Sequence, residues 1–409
     1  MSEVARRLGF AEAFAYGKPA DLFREHAALS AFENDGRRDF DLGGLAGISD
    51  EGYDRLDSVM WPFAATHACG EPRFFAAGGF FTDDRRGRFV AVEHPRLRAA
   101  TSEAFPLRLN TGRLRDQWHT MTRSGKSSRL GAHAPEPLVE IHPDDAVMTG
   151  VVDGGFARVT TPHGSGVLRV GVRVGQQPGS IFAPIHWSAA TAADARVGAM
   201  TMAETDPFSG QPELKATPAR IEPVEFAYAG FALTREMITL PAQTWFARVA
   251  VAGGHGLLFA TNEAPERWHE LADKLLPVDA ERAEYVDLPR AVVRMAAFRG
   301  GRLEACVFCG PSGNPPSWDA VRALFDAASV TERDRRVLLS GRSGVGVPET
   351  GRIVCACYGV GLEAIRRAVA DGSAASVAEI GRALRAGTNC GSCIPELHGI
   401  IERTARARA

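Results

Sequence analysis

Four cysteines near the carboxyl end of the chain form two closely spaced pairs. Cys355 and Cys357 are separated by one residue, and Cys390 and Cys393 by two. Thiolates are soft ligands, and four of them suit either zinc or an iron–sulfur cluster. A disulfide is less favoured, because seven cysteines in 409 residues do not resemble a secreted disulfide scaffold. The spacing alone leaves zinc and iron–sulfur ligation open.

A second candidate site is the basic segment, residues 107–129, which reads LRLNTGRLRDQWHTMTRSGKSSR. It carries six arginines and lysines against one aspartate, with Trp118 and His119 among them. Guanidinium groups pair well with phosphates, and an aromatic face with neighbouring hydroxyls suits a flat heterocycle. The segment therefore indicates a ligand with phosphates and heteroaromatic rings, and the alternative is a solvated basic loop.

Other residues with chemical potential give weaker signals. Cys306 and Cys309 have CxxC spacing but fall in an apolar run, so we interpret them as strand residues rather than ligands. Cys69 stands alone and is interpreted as a small apolar filler. Lys215 lies in the polar, proline-bounded loop TDPFSGQPELKATP, which by itself indicates little.

The hydrophobic pattern predicts a multidomain α+β chain. Residues 1–100 combine short helices with turn-linked strands over 72–92, and they resemble the end of a larger fold. Residues 101–225 contain short alternating runs punctuated by glycine and proline, which is typical of an all-β barrel. Residues 226–345 mix strands and helices in an α+β connecting region.

The C-terminal domain, residues 346–409, is predicted to be small and helical, after a linker at 340–352. Ser376 and Glu379 form an S-x-x-E capping box, and Gly387 is expected to end that helix in a left-handed conformation. Helices are expected to begin at both cysteine pairs, where free N–H groups would stabilise anionic sulfur.

Composition excludes several classes of protein. Hydrophobic residues make up 45% and charged residues 23%, and 47 Lys+Arg balance 49 Asp+Glu. Such a chain has no overall field that would attract nucleic acid or an anionic membrane. Charges interrupt the amino-terminal apolar residues, and no run approaches the ~20 apolar residues that span a bilayer. We expect a cytoplasmic globular protein that binds neither nucleic acid nor membrane.

The cysteine pattern C-x-C … G-T-x-C-G-x-C, over about residues 353–405, closely resembles the bacterioferritin-associated-ferredoxin-like (BFD-like) [2Fe–2S] domain. The resemblance implies that a [2Fe–2S] cluster is ligated by Cys355, Cys357, Cys390 and Cys393. It favours iron–sulfur ligation over zinc.

The segments LNTGRLRDQWHTMTRSGKS, EIHPDDA, IFAPIHW and TDPFSGQPELK resemble the molybdopterin-dinucleotide-binding domain of the DMSO reductase superfamily. The closest resemblance is to bacterial assimilatory nitrate reductases, and residues 1–100 resemble a partial α/β remnant of that family's catalytic region. The implied cofactor is molybdopterin guanine dinucleotide (Mo-bisMGD). Ile185 and His186 would line the approach to molybdenum. The implied dinucleotide contacts are Thr111, Gly112, Arg113, Leu114, Arg115, Asp116, Gln117, Trp118, His119, Thr120 and Lys215.

Two departures from the family pattern affect these expectations. Gly198 stands where the family often has an asparagine, so one side-chain hydrogen bond to the cofactor would be missing or would be supplied by the backbone. The family's N-terminal iron–sulfur motif and its cysteine ligand to molybdenum are not found, so the catalytic residues stay unknown. We therefore expect a fragment, a truncated gene product or one subunit of a split enzyme that does not reduce nitrate alone.

The resemblance implies an oxidoreductase, the C-terminal portion of a molybdenum-dependent assimilatory nitrate reductase. Its partners would be nitrate, the missing N-terminal half of the enzyme, and a ferredoxin or flavoprotein reductase that donates electrons. Two alternatives stay open. The chain could be a non-catalytic [2Fe–2S] electron-transfer module, or part of another molybdopterin oxidoreductase such as formate dehydrogenase, because the barrel motifs do not select the substrate.

Overall fold

The structure of the chain is a computed structural model, and it divides between Arg96 and Leu97 into two compact units. Cys69 and most of the predicted linker at 340–352 lie outside the described residues, so their interpretation stays a prediction. The structure describes residues 1–66, 73, 75–76, 78–93, 96–237, 244–341 and 351–406.

The first unit contains short helices. They are α1 (Ser2–Arg7), α2 (Pro19–Ala31), α3 (Asp50–Asp54) and a 3-10 turn at Gly43–Leu45. The strands predicted within 72–92 are wrong for the part of that range that the structure describes, which forms turns and irregular backbone. Gly78, Gly79 and Arg85 have positive φ angles there, and this backbone conformation interrupts an extended strand.

A closed six-stranded barrel occupies the region predicted to be all-β. Its strands are β1 (Leu107–Gly112), β2 (Leu138–Ile141), β3 (Phe156–Thr161), β4 (Gly164–Val172), β5 (Ser180–Pro184) and β6 (Thr217–Val224). Around the barrel the order is β1-β5-β2-β4-β3-β6. Leu107, Leu109 and Thr111 of β1 are buried while the residues between them are less so, because successive strand side chains face opposite sides.

Three segments with predicted site residues leave the barrel at the same end. β1 and β5 are parallel, whereas β6 is antiparallel to β1, with Leu109 opposite Thr217. The carboxyl ends of β1 and β5 therefore lie beside the start of β6. The connections around the barrel also contain α4 (Ser128–Gly131), α5 (Pro143–Thr149) and 3-10 turns at Ser124–Lys126 and Val197–Ala199.

The connecting region forms a second, antiparallel sheet with the strand order β10-β11-β12-β7-β9-β8. Trp268 stacks on Phe259 with ring centroids 4.0 Å apart, which packs α6 against the sheet. Its elements are β7 (Tyr228–Thr234), β8 (Trp245–Val251), β9 (Gly254–Thr261), α6 (Pro265–Leu275), β10 (Glu281–Asp287), a 3-10 turn (Leu288–Arg290), β11 (Val292–Arg299), β12 (Arg302–Pro311), α7 (Trp318–Asp326) and α8 (Glu332–Leu338).

Cys306 and Cys309 lie on β12 and are buried in two different core clusters of this sheet. The prediction that they are strand residues is confirmed. Burial raises the pKa of both thiols to about 12, so they stay protonated and poorly suited to bind metal.

The C-terminal domain consists of β13 (Ile353–Cys355), β14 (Val360–Gly361), α9 (Leu362–Ala370), α10 (Val377–Leu384) and α11 (Ile394–Arg406). Ser376 caps α10 as predicted, since its side chain accepts a hydrogen bond from the Glu379 N–H. The left-handed residue that ends α10 is Arg385 rather than Gly387, which follows two residues later and also has a positive φ. Within the described ranges, no helix combines the length and apolarity needed to cross a membrane.

Candidate cofactor sites

The four paired cysteines converge in the C-terminal domain. The Cys357 and Cys390 sulfurs are 3.5 Å apart, and the Cys393 thiol lies within hydrogen-bonding reach of Cys355. Among the described residues, no group of three or more His, Cys, Asp or Glu side chains is arranged around a single ion. The thiols instead pair in twos, and two pairs of soft sulfur donors fit a two-metal cluster.

The two cysteine pairs are held by different elements. Cys393 directly precedes α11, so the second pair lies at a helix N-terminus as predicted. The same prediction is wrong for the first pair, because Cys355 ends β13 and Cys357 lies in the turn before β14. A short hairpin rather than a helix therefore positions the first two thiols.

The four thiols differ in exposure and in acidity. Cys355 and Cys393 are buried, and burial raises the pKa of Cys393 to about 11. Cys390 is exposed, and hydrogen bonds from the hydroxyl and the backbone N–H of Ser392 lower its pKa. The site therefore has one solvent-facing edge at Cys390, where hydrogen bonds favour the thiolate.

The basic segment presents an exposed aromatic and cationic surface at the end of the barrel. The guanidinium carbon of Arg113 lies 4.9 Å from the centre of the Trp118 ring, and Trp118 is 53% exposed. His119 and Thr120 are also exposed. These side chains are available to a ligand, and an arginine over an indole suits a phosphate beside a flat ring.

Lys215 reaches the same place from the start of β6. The Thr111 hydroxyl donates to the Leu214 carbonyl oxygen at 2.7 Å, which holds the lysine loop against β1. A Cβ atom at Gly112 would lie 2.9 Å from the Phe182 ring and 3.7 Å from the Lys215 Nζ. Glycine at position 112 thus allows the Phe182 ring and the Lys215 side chain to approach β1 closely, and the predicted residues at both places are brought together.

Other members of the predicted run Thr111–Thr120 have partners inside the protein. Ser124 donates its hydroxyl proton to the buried Gln117 at 2.8 Å. Arg115 and Asp116 pair with each other and with residues outside the run. Their assignment as dinucleotide contacts stays a prediction. Because these side chains are more buried than Arg113 and Trp118, they are less accessible to a ligand.

His186 holds the basic segment from within. It is fully buried, its Nε2 accepts from the Leu114 N–H at 2.8 Å, and its Nδ1 donates to the His119 carbonyl oxygen at 2.6 Å. Ile185 donates its N–H to the Gly112 carbonyl oxygen at 3.0 Å, beside the same loop. These two hydrogen bonds make His186 a residue that fixes the conformation of the loop. That Ile185 and His186 line the approach to molybdenum stays a prediction.

We expect acid to weaken the hold of His186 on the loop. Burial lowers the pKa of His186, so its neutral form, with Nε2 as an acceptor, is the native one. Its contribution is present above the unfolded pKa of about 6.5 and is lost as pH falls below that value, at no more than about 1.4 kcal/mol per pH unit. His186→Gln, which cannot titrate, should lack this dependence.

Calorimetric unfolding of the wild type and of His186→Gln between pH 5.5 and 7.5 measures this effect. At pH 7.5 the variant should be less stable by about 1 kcal/mol, because the part-buried Leu114 N–H and His119 carbonyl lose their partner. The difference in unfolding free energy between the wild type and the variant should become smaller as the pH is lowered. A difference that is the same at both pH values would refute the assignment.

Gly198 has space for the asparagine that the family pattern often places there. It lies in the 3-10 turn Val197–Ala199, and nothing lies within 4 Å of an added Cβ. Glycine in place of asparagine therefore removes a side chain that could form a hydrogen bond, and no neighbouring atom of the described structure requires glycine at this position.

The chain matches two protein families at these sites. Residues 107–218 match the molydopterin dinucleotide binding domain, and residues 353–403 match the BFD-like [2Fe-2S] binding domain. The two domains thus correspond to a molybdopterin dinucleotide and to a [2Fe–2S] cluster, and the assignment of the four cysteines as its ligands stays a prediction. These matches confirm the two resemblances and decide between iron–sulfur and zinc in favour of iron–sulfur.

Similarity to a longer protein extends over almost the entire chain. It is 39% identical to a nitrate reductase of Klebsiella oxytoca, over 98% of this chain and 45% of that protein. The chain is therefore homologous to a portion of a longer nitrate reductase. It is also 27% identical to the assimilatory nitrate reductase catalytic subunit of Bacillus subtilis, over 54% of this chain and 30% of that one. The chain spans less than half the length of these relatives.

Among solved structures, acetylene hydratase from Pelobacter acetylenicus matches 54% of the nitrate reductase homologue and 32% of its own chain. The identity is 20% and the TM-score 0.33, which is too low to inform on function.

One part of the site gave no signal in the sequence analysis. Glu396, His133 and Arg352 were not predicted to matter, although they contact Arg115 or Asp116 of the basic segment or one another. The signal available for Glu396 is its place three residues after Cys393, in the first turn of a helix. Nothing in the spacing connects Glu396 with residue 115.

Proposed function

We propose that this chain is the C-terminal portion of a molybdenum-dependent assimilatory nitrate reductase that acts in the cytoplasm. It would bind molybdopterin guanine dinucleotide, as Mo-bisMGD, and relay electrons through its [2Fe–2S] cluster for the reduction of nitrate to nitrite. The observation that carries the proposal is the match to the Klebsiella protein over 98% of the chain, which includes both cofactor domains.

The residues of this chain bind and orient the cofactors. When bound, the molybdenum cofactor supplies the redox chemistry. Arg113 and Lys215 would pair with the phosphates of the dinucleotide, and the exposed Trp118 would stack on a heterocycle. His186 keeps the loop in shape. The thiolates of Cys355, Cys357, Cys390 and Cys393 would hold the cluster, which would supply electron transfer from a ferredoxin or a flavoprotein reductase.

The regions keep their proposed roles. Residues 1–100 are a remnant of the catalytic region, 101–225 the dinucleotide-binding barrel, 226–345 the connecting region and 346–409 the cluster domain. The rest of the longer relatives would provide the molybdenum ligand and the other half of the cofactor pocket.

A formate dehydrogenase is the second candidate. The F420-dependent formate dehydrogenase subunit alpha of Methanocaldococcus jannaschii is 26% identical over 54% of this chain. That match is shorter and weaker than the match to the Klebsiella nitrate reductase, so nitrate is the favoured substrate. The third candidate, a non-catalytic electron-transfer module, rests on the four cysteines together with the incomplete molybdenum site.

Metal content and activity test the proposal. We expect the purified chain to hold about two irons, as a [2Fe–2S] cluster requires, and to give no nitrate turnover with reduced viologen. Together with the remaining portion found in the longer relatives, it should retain molybdenum and reduce nitrate. Robust turnover by the chain alone, or zinc in place of iron, would refute the proposal; formate oxidation without nitrate reduction would favour the second candidate.

A further inference from the structure

A charged contact joins the basic segment of the barrel to the C-terminal domain. Arg115 donates through Nη1 to Glu396 Oε2 at 2.5 Å and through Nη2 to the Val354 carbonyl oxygen at 2.5 Å. The other oxygen of Glu396 lies 2.5 Å from Arg352 Nη2. One carboxylate is therefore shared between an arginine of the barrel and an arginine of the C-terminal domain.

The barrel supports Arg115 from its other side. Asp116 Oδ2 lies 3.3 Å from Arg115 Nε and 3.1 Å from His133 Nδ1. His133 Nε2 is in turn 4.0 Å from Glu396 Oε2. We call this set the Arg115 network, and its members are Arg115, Asp116, His133, Arg352 and Glu396.

All members of the network except Arg352, whose side chain is 50% exposed, are largely shielded from solvent. The side chains of Arg115, Glu396 and Asp116 are 21%, 18% and 8% exposed. Removing one member of a buried ion pair leaves the other charge without compensation, so such a pair matters more than one on the surface. The fork of the guanidinium, with one arm on a carboxylate and the other on a carbonyl, also fixes its orientation.

Arg115 contacts both elements that carry the buried cluster ligands. Val354 immediately precedes Cys355 on β13, and Glu396 follows Cys393 by three residues on α11. On the barrel side, Arg115 is two residues from Arg113, whose guanidinium covers the Trp118 ring. A single side chain thus connects the dinucleotide-binding loop with the residue before Cys355 and with a side chain in the helix that follows Cys393.

We propose that Arg115 is a positioning residue that docks the [2Fe–2S] domain onto the dinucleotide-binding loop, so that the order of either site depends on the other. This inference rests on the proposed function only for the identity of the two cofactors. It assigns Arg115 and Asp116 to domain docking, a role distinct from the dinucleotide contact that the family resemblance implies for them.

Hydrogen exchange on the full chain tests the docking. Arg115→Met keeps the aliphatic stem and removes the fork, and Glu396→Gln keeps the shape and removes the charge. Each should speed amide exchange about tenfold or more both in residues 113–120 and in β13 and the first turn of α11, as expected for loss of a charged hydrogen bond. The double variant should add little to either single one, because both remove the same contact.

Matched controls separate docking from general loosening. Arg123→Met changes an exposed arginine of the same basic segment, and Glu402→Gln changes an exposed glutamate of the same helix α11. Both should leave exchange in the two regions unchanged. Faster exchange confined to the mutated side, with the opposite region unaffected, would refute the coupling.

The reduction potential of the cluster is a second measurement. It depends on the charge of Arg115, whereas a residue that acts only through packing would leave it unchanged. Reduction adds negative charge to the cluster, and the nearby guanidinium favours it. The midpoint potential, followed by EPR-monitored titration, should fall in Arg115→Met and stay near the wild-type value in Arg115→Lys. A potential unchanged in Arg115→Met would contradict the proposal.

The hydrogen-exchange experiment does not need nitrate reductase activity or a loaded cofactor. If the chain took up no iron, the proposed function would fail while the exchange result would still decide the docking. If iron were bound and the exchange of both regions were unchanged in Arg115→Met, the docking would be refuted and the proposed function would stand.

Discussion

Cys390→Ala is expected to abolish the [2Fe–2S] cluster and leave the C-terminal domain folded. Cys390 is the exposed member of the four thiols, so removing it creates no cavity in the core. Its sulfur lies 3.5 Å from Cys357, and hydrogen bonds from Ser392 favour its thiolate. A cluster with three thiolates loses one of its four required ligands. Iron per chain should fall from about two to near zero, and the visible absorbance should disappear.

Cys309→Ala is the matched control for this experiment. Cys309 is a buried thiol on β12 whose pKa is raised to about 12, so it should have no part in metal binding. We expect its iron content to equal that of the wild type, with a loss of unfolding free energy on the order of 1 kcal/mol from the vacated space. A Cys390→Ala protein that kept wild-type iron and colour would refute the ligand assignment.

The C-terminal domain shows what local sequence can and cannot predict. The cap at Ser376 and the start of α11 next to Cys393 follow from residues close in the chain, so spacing rules predict both. The hairpin at Cys355 and Cys357 was missed. Its register pairs Ile353 with Gly361 across a two-residue strand, which is too short to give a periodic signal.

In the barrel, too, local sequence predicts the individual elements but not how they pair. Alternating runs predict its strands, but periodicity does not specify that β1 lies parallel to β5 and antiparallel to β6. That order brings Lys215 beside Gly112, a contact between residues more than a hundred positions apart. The family resemblance predicts that both contact one ligand, and the strand order supplies the physical reason.

The burial of the basic segment could not be predicted from its composition. Arg113 and Arg115 are two residues apart and chemically identical, yet one lies exposed over Trp118 and the other reaches Glu396. Their different environments depend on the C-terminal domain, 281 residues further along the chain for Arg115 and Glu396. Sequence spacing within the segment carries no information about that partner.

Arg113→Ala and Lys215→Ala are expected to weaken dinucleotide binding strongly. Both cations lie at the barrel end where β1, β5 and β6 meet, and the Lys215 Nζ lies 3.7 Å from the place that a Cβ atom at Gly112 would take. A charged hydrogen bond to phosphate contributes about 1.5–3 kcal/mol, so each variant should lose about 10- to 100-fold in affinity. Guanosine diphosphate, which contains the guanosine and the diphosphate of the proposed dinucleotide, is a suitable probe for calorimetric titration of the full chain.

The salt dependence of this binding distinguishes phosphate contacts from a change in loop shape. If Arg113 and Lys215 neutralise phosphate, the wild-type affinity should fall as salt rises, and each variant should show a shallower fall. Arg123→Ala removes an exposed charge from the same segment and should change the affinity by less than about threefold, since screening limits the influence of a charge outside the site. Equal losses in all three variants would indicate a general electrostatic attraction and refute a built phosphate site. Loss in Arg113→Ala alone would restrict the site to the arginine–indole pair and remove Lys215 from it, because the two cations reach the ligand from separate segments that only the barrel brings together.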